Sequence, residues 1–105
     1  MRVLFDQGTP VPLRRHLPHH SIFTVFEKGW STKQNGDLLR TAEQQGFEIL
    51  VTTDQNLKYQ QNLASYGIGI VVLPTTSWPR IEKSIDRVVN AIDGMKPGGY
   101  LEVEL

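Results

Sequence analysis

The chain has 105 residues, 39% of them hydrophobic, with 11 Lys+Arg against 11 Asp+Glu and no cysteine. That length holds one domain and leaves no room for a second, and the composition supports a modest core and argues against wholesale disorder. A formal charge of zero argues against a protein that grips duplex DNA or anionic membrane by bulk charge, and the lack of Cys removes disulfide scaffolds, thiolate zinc sites and cysteine nucleophiles.

The first apolar run, Val3-Leu4-Phe5, reads as a buried strand that stops at Asp6. It is too short for the apolar region of a signal peptide, so the expected compartment is the cytoplasm. Pro10 to Leu17 reads as a short helix with Pro12 in its first turn and Pro18 closing it. Ile22 to Phe26 is the second strand, and Asp37 to Gln45 the next helix, ended by Gly46. Ile49 to Thr52 is the third strand, Gln55 to Tyr66 a helix before Gly67, and Ile68 to Leu73 the fourth strand. Ile81, Ile85, Val88, Val89 and Ile92 recur on one face of a final helix. After the turn Lys96-Pro97-Gly98-Gly99, Tyr100 to Leu105 alternates apolar with acidic residues, as a half-exposed edge strand does. No apolar stretch approaches the roughly 20 residues that span a bilayer, so no membrane partner is expected.

This β-α-β-α-β-α-β-α-β order predicts a three-layer α/β/α sandwich around a mainly parallel five-stranded sheet, a single Rossmann-like domain over residues 1–105. The expected strand order is 2-1-3-4 with the terminal strand at an edge of open direction, which makes strands one and three neighbours. Strand-to-helix loops of a parallel sheet emerge at one carboxyl edge, and ligands gather at the switch point between strands one and three. Asp6 and Asp54 end those two strands, and Asp37 opens the helix after the second. Glu27, just after the second strand, is held in reserve for the same cleft. Several carboxylates with hard oxygen donors are the ligand chemistry of Mg²⁺ or Mn²⁺, for which phosphodiester hydrolysis is the natural reaction. The structural alternative stands beside it: Asp37 and Asp54 are each placed to cap the helix that follows.

Val3-Leu4-Phe5-Asp6-Gln7-Gly8-Thr9-Pro10, Asn35-Gly36-Asp37-Leu38-Leu39 with Ala42, and Leu50-Val51-Thr52-Thr53-Asp54-Gln55-Asn56-Leu57 together resemble the small prokaryotic PIN-like proteins, relatives of the VapC-type toxin ribonucleases. The resemblance covers nearly the whole chain, and Asp6, Asp37, Thr52 and Asp54 match the family pattern position by position. It implies a PIN-like fold, catalytic and metal-binding roles for Asp6, Asp37 and Asp54, an Mg- or Mn-dependent endoribonuclease acting on single-stranded RNA, and a small antitoxin as partner. Two departures bear on this: Gln7 stands where Glu is usual, and Asn56-Leu57 where Asp-Phe is usual. Each exchanges a negative donor for a neutral amide that can still supply a carbonyl oxygen or hold a metal-bound water.

Thr52 and Asn56 flank the expected site, and Thr75 and Arg80 on the loop after strand four would hold phosphate as substrate-binding residues, with Trp78 stacking a base. Trp78 packed on the sheet end is the favoured alternative. Trp30 is open between core filler and exposed contact. His16, His19 and His20 lack the further ligand that a zinc site needs, and Arg14, Arg15 and His16 complement a helix C-terminus. The functional expectation is therefore a metal-dependent ribonuclease, with a non-catalytic binding or assembly module bearing a degenerate acidic site as the alternative. A phosphoacceptor receiver domain ranks below both, because the acidic pair after strand one and the closing helix are missing. Leu101, Val103 and Leu105 need one covered face, so the terminal strand should cap the sheet edge or pair with a second copy, and a homo-oligomer is expected.

Overall fold

A computed structural model describes residues 1–105. The short β-rich runs form five strands, β1 (Arg2–Phe5), β2 (Ser21–Thr24), β3 (Ile49–Thr52), β4 (Gly69–Val72) and β5 (Tyr100–Glu102). They form one sheet of order β2-β1-β3-β4-β5 in which every neighbouring pair is parallel. The direction of β5, which sequence left open, is thereby fixed.

Side-chain alternation sorts the strand residues onto the two faces of the sheet. Val3, Phe5, Ile49, Val51 and Val71 join a cluster of 12 buried residues on one face, and Leu4, Leu50, Ile70 and Val72 join one of 11 on the other, so neither face is left bare. The first cluster is completed by Leu13, Leu17, Leu73 and Val103 and by Ile81, Val88 and Ile92, the last three from α3 (Trp78–Lys83) and α4 (Ile85–Asp93). The second is completed by Val25, Phe47 and Ile68, by Leu38, Leu39 and Ala42 of α1 (Asn35–Gln44) and by Leu57 of α2 (Leu57–Gln60). Strands buried on both faces explain why the apolar runs are continuous, with no polar residue at every second position.

Several expected elements differ in detail. Val11–His16 is a 3₁₀ helix, not an α-helix, with Pro12 in its first turn. The helix expected over Gln55 to Tyr66 shrinks to the single turn of α2 and a 3₁₀ turn at Leu63–Ser65, with Gln61 extended between them. Only Leu57 of these is buried, while Leu63 and Tyr66 pack half-buried against the second cluster. The final helix breaks at Ser84 (φ −122°, ψ 34°) while its apolar face continues across the break, which is why periodicity did not reveal two helices. Gly46 does end α1 with a left-handed φ of 83°.

At the outer edge, β5 caps the sheet within one chain. Val103 is buried in the first cluster and Leu105 packs against it, whereas Leu101 remains 43% exposed. No helix of the structure is long and apolar enough to cross a membrane.

Candidate functional site

The β1–β3 register pairs Phe5 with Val51, which sets Asp6 level with Thr52 at the carboxyl edge. Backbone bonds lock that alignment: the Asp6 amide donates to the Val51 carbonyl at 2.9 Å, and the buried Thr9 hydroxyl donates to the same carbonyl at 2.9 Å. Gly8 turns the chain here with φ 88°, and a Cβ on it would lie 2.7 Å from the Thr53 hydroxyl. The loops after β1 and β3 are thus in direct contact.

Thr52 joins the two carboxylate loops. It is fully buried, its hydroxyl donates to Asp6 Oδ2 at 2.9 Å and accepts the Asp54 backbone N–H at 3.1 Å. The other Asp6 oxygen accepts the Gln7 amide at 2.8 Å. Burial pushes the Asp6 carboxyl above its ordinary range; the Thr52 and Gln7 hydrogen bonds oppose that rise, and the nearby charge of Asp54 adds to it. Asp54 Oδ1 accepts the Asn56 amide at 2.9 Å, a local turn bond, and Asp54 Oδ2 accepts from the Asn35 side chain at 3.2 Å. Asn35 also donates to Gln60 Oε1 at 2.8 Å, so the start of α1 is tied both to Asp54 and to α2.

The expected trio is therefore a pair. Thr52 links the Asp6 carboxylate to the Asp54 backbone, and Asp6 feels the Asp54 charge, but the Asp37 carboxylate is 61% exposed and binds Arg40 Nη2 at 2.6 Å. Helix geometry gives the reason: each residue turns the helix by about 100°, so with Asn35 directed at Asp54, Asp37 two positions on is rotated about 200° away. Nowhere do three His, Cys, Asp or Glu side chains converge as a metal-holding group. Asn35 is the α1 residue that reaches the site. Its position just ahead of Asp37 was the available signal, but sequence does not give the rotational phase of a helix start.

The expected substrate residues also divide. Thr52 is too deeply buried to touch a substrate and acts by orienting Asp6 and the Asp54 loop. Asn56 holds its place beside Asp54 through its backbone. The Thr75 hydroxyl accepts the Ser77 amide at 3.0 Å, closing the turn into α3. Arg80 lines a separate cavity of about 300 Å³ with Gln55, Glu102 and Glu104 at the β4–β5 end, not the cleft beside Asp6. Trp78 packs against the first core cluster and lies 5.6 Å, centroid to centroid, from the His16 ring. Trp30 packs against the second cluster and meets Phe47 edge-on at 5.9 Å. His20 is engaged with Asp93 at 2.6 Å, which removes it from any histidine cluster.

Glu27, in contrast, does line a cavity with Asp6. The Thr24 amide donates to Glu27 Oε1 at 2.9 Å and the Glu27 amide donates to the Thr24 hydroxyl at 3.0 Å. This reciprocal pair turns the chain out of β2 at Thr24, two residues before the apolar run ends. Phe26, expected inside the strand, is consequently 80% exposed. The Arg14 guanidinium binds the same carboxylate and holds Glu27 below the usual carboxylate range, with the Thr24 amide adding to the effect.

Asp6 and Asp54 are the two carboxylates at this edge that could hold a hard divalent cation, and Mg²⁺ is commonly held by one or two carboxylates with waters and a substrate phosphate completing its shell. The amides around them, from the Gln7 and Asn56 backbones and the Asn35 side chain, donate N–H groups to those carboxylates and would orient them, not ligate the metal. Comparison of the chain with protein-family models, curated proteins and solved structures gives no match.

Proposed function

We propose that this chain is an Mg²⁺- or Mn²⁺-dependent endoribonuclease with a PIN-like, three-layer α/β/α architecture, acting on single-stranded RNA in the cytoplasm. The observation that carries the reading is the Asp6–Thr52–Asp54 connection at the switch point between β1 and β3, where one carboxylate is kept from ionising freely by burial and by its neighbour's charge. A cation between the two would offset both effects. When bound, it would supply a polarised phosphoryl oxygen and a water of lowered pKa.

The chain's own residues do the positioning. Thr52 and the Gln7 amide fix both oxygens of Asp6, while Asn35 and the Asn56 amide fix both oxygens of Asp54, so neither carboxylate has to reorganise when phosphate arrives. Asp37 is assigned no ligand role, since Arg40 holds it away. The VapC-type resemblance adds a small antitoxin protein as the proposed partner.

The test is a thermal-shift titration with MgCl₂ or MnCl₂ beside a cleavage assay on labelled single-stranded RNA. The wild type should gain melting temperature with metal, because a ligand bound only by the folded state stabilises it, and should cut the RNA. Asp54→Asn should lose both, whereas Asp37→Asn should keep both. Metal binding without cleavage, even after Gln7→Glu and Asn56→Asp restore two acids, would favour the second reading, a non-catalytic PIN-like binding module. The Asp37–Arg40 pair is the observation in favour of that alternative. Absence of any metal effect would sink the nuclease reading.

A further inference from the structure

A cavity of about 480 Å³ opens beside Asp6, and nothing in the reading above uses it. Asp6 forms part of its wall, Val11 and Phe26 supply apolar surface at 55% and 80% exposure, and Arg14 and Glu27 form a charged pair on its lining. Its volume falls in the range of about 300–1,000 Å³ typical of small-molecule sites. Phe26 lies within the turn closed by the reciprocal amide-to-side-chain bonds of Thr24 and Glu27 described above, so its exposure is a built feature of the turn after β2.

Charge decides what kind of group fits. Both terminal nitrogens of Arg14 are directed at Glu27, so this cation is already neutralised and is a poor anchor for phosphate. With Asp6 contributing further negative charge, the cavity disfavours an anion and suits an uncharged planar ring. Next to it lies the carboxylate pair, where a cation would hold a phosphate. A ligand carrying an uncharged aromatic ring one sugar away from a phosphate is a nucleotide.

We propose that this cavity is a nucleobase subsite in which one base of a single-stranded RNA stacks on Phe26, against Val11, while the adjoining phosphate lies at Asp6 and Asp54. The subsite rests on the ribonuclease reading for the placement of the phosphate. It deepens that reading by assigning the side of the cleft along which the RNA strand runs, toward β2 and away from Arg80. Stacking on an exposed ring is tolerant of base identity, so the site selects single strands, not a particular sequence.

The experiment measures binding of a fluorescein-labelled oligouridylate by anisotropy in CaCl₂, a hard cation offered in place of Mg²⁺ or Mn²⁺ with the RNA checked to remain intact, and cleavage of the same RNA with MnCl₂. Phe26→Ala should weaken binding about tenfold, the loss typical of one stacked base, and Phe26→Trp should restore it. An oligomer with abasic ribose units should bind wild type and Phe26→Ala alike. Circular dichroism should show both variants folded, since Phe26 supports no core contact. Equal affinity of wild type and Phe26→Ala for the oligouridylate would overturn the subsite, as would failure of the wild type to bind it. A Phe26→Ala variant that dissociates an oligomer by sedimentation while leaving RNA affinity unchanged would also overturn it, assigning the patch to a second copy of the chain. The two readings fail separately: cleavage indifferent to Phe26 removes the subsite and keeps the nuclease, whereas Phe26-dependent binding without cleavage keeps the subsite and removes the nuclease.

Discussion

Replacing Thr52 by Val tests the connection on which the candidate site depends. The substitution keeps the β-branched shape that suits a strand and removes one hydroxyl that serves two partners, Asp6 Oδ2 and the Asp54 amide. A hydrogen bond to an ionised group contributes about 1.5–3 kcal/mol and one between neutral groups about 1 kcal/mol, so the loss at neutral pH should be about 3 kcal/mol. Against a total of about 5–15 kcal/mol for such a domain, that is readily measured.

The pH dependence is more diagnostic than the magnitude. Folded wild-type Asp6 holds its proton more tightly than the unfolded chain does. Its contribution to stability is therefore complete below the unfolded value of about 3.9 and is lost as pH rises through the raised folded value. The Thr52 hydroxyl lowers that folded value. Without it the value rises further, and the decline deepens and extends to higher pH. The stability difference between wild type and Thr52→Val should thus grow by about 1–2 kcal/mol from pH 3 to pH 8, as the charged hydrogen bond comes into play. Urea denaturation in EDTA across that range would measure it, with Thr52→Ser as the variant that retains the hydroxyl. Parallel stability curves for wild type and Thr52→Val would refute the assignment of the hydroxyl to ionised Asp6.

Gly8→Ala should destabilise the protein by about 1–3 kcal/mol, since the new Cβ meets both a left-handed φ of 88° and the Thr53 hydroxyl at 2.7 Å; Thr53→Ala in the same chain should recover part of the lost melting temperature by relieving the contact but not the backbone strain. Lys58 binds Glu102 and holds its carboxyl below the ordinary value, so this pair contributes stability above the unfolded carboxyl value of about 4.3 that is lost as pH falls through the folded one. Lys58→Gln should accordingly weaken hydrogen-exchange protection of the β5 amides at pH 6 more than at pH 3. Ile70→Ala, which truncates a buried side chain in the central part of the sheet, should cost about 2–5 kcal/mol without altering any metal-induced shift, separating loss of core from loss of site.

Sequence alone determined that this is a parallel α/β protein. The runs Val3 to Phe5, Ile49 to Thr52 and Ile68 to Leu73 lack polar alternation because both faces of each strand are buried, and that property is carried by composition and order. It also placed Asp6 and Asp54 at one edge, because the end of a strand is a local feature and parallel topology makes all such ends share a side. Tertiary structure decided what each carboxylate touches. Whether Asn35 or Asp37 meets Asp54 depends on the rotational phase of α1, and that phase is set by Leu38, Leu39 and Ala42 packing on the second face of the sheet. The length of β2, and with it the exposure of Phe26, depends on a Glu27 side chain that folds back onto Thr24 and meets Arg14 from a different element. Apolar pattern reports burial averaged along an element, whereas a hydrogen-bonded site depends on direction, and direction is fixed only when separate elements pack together.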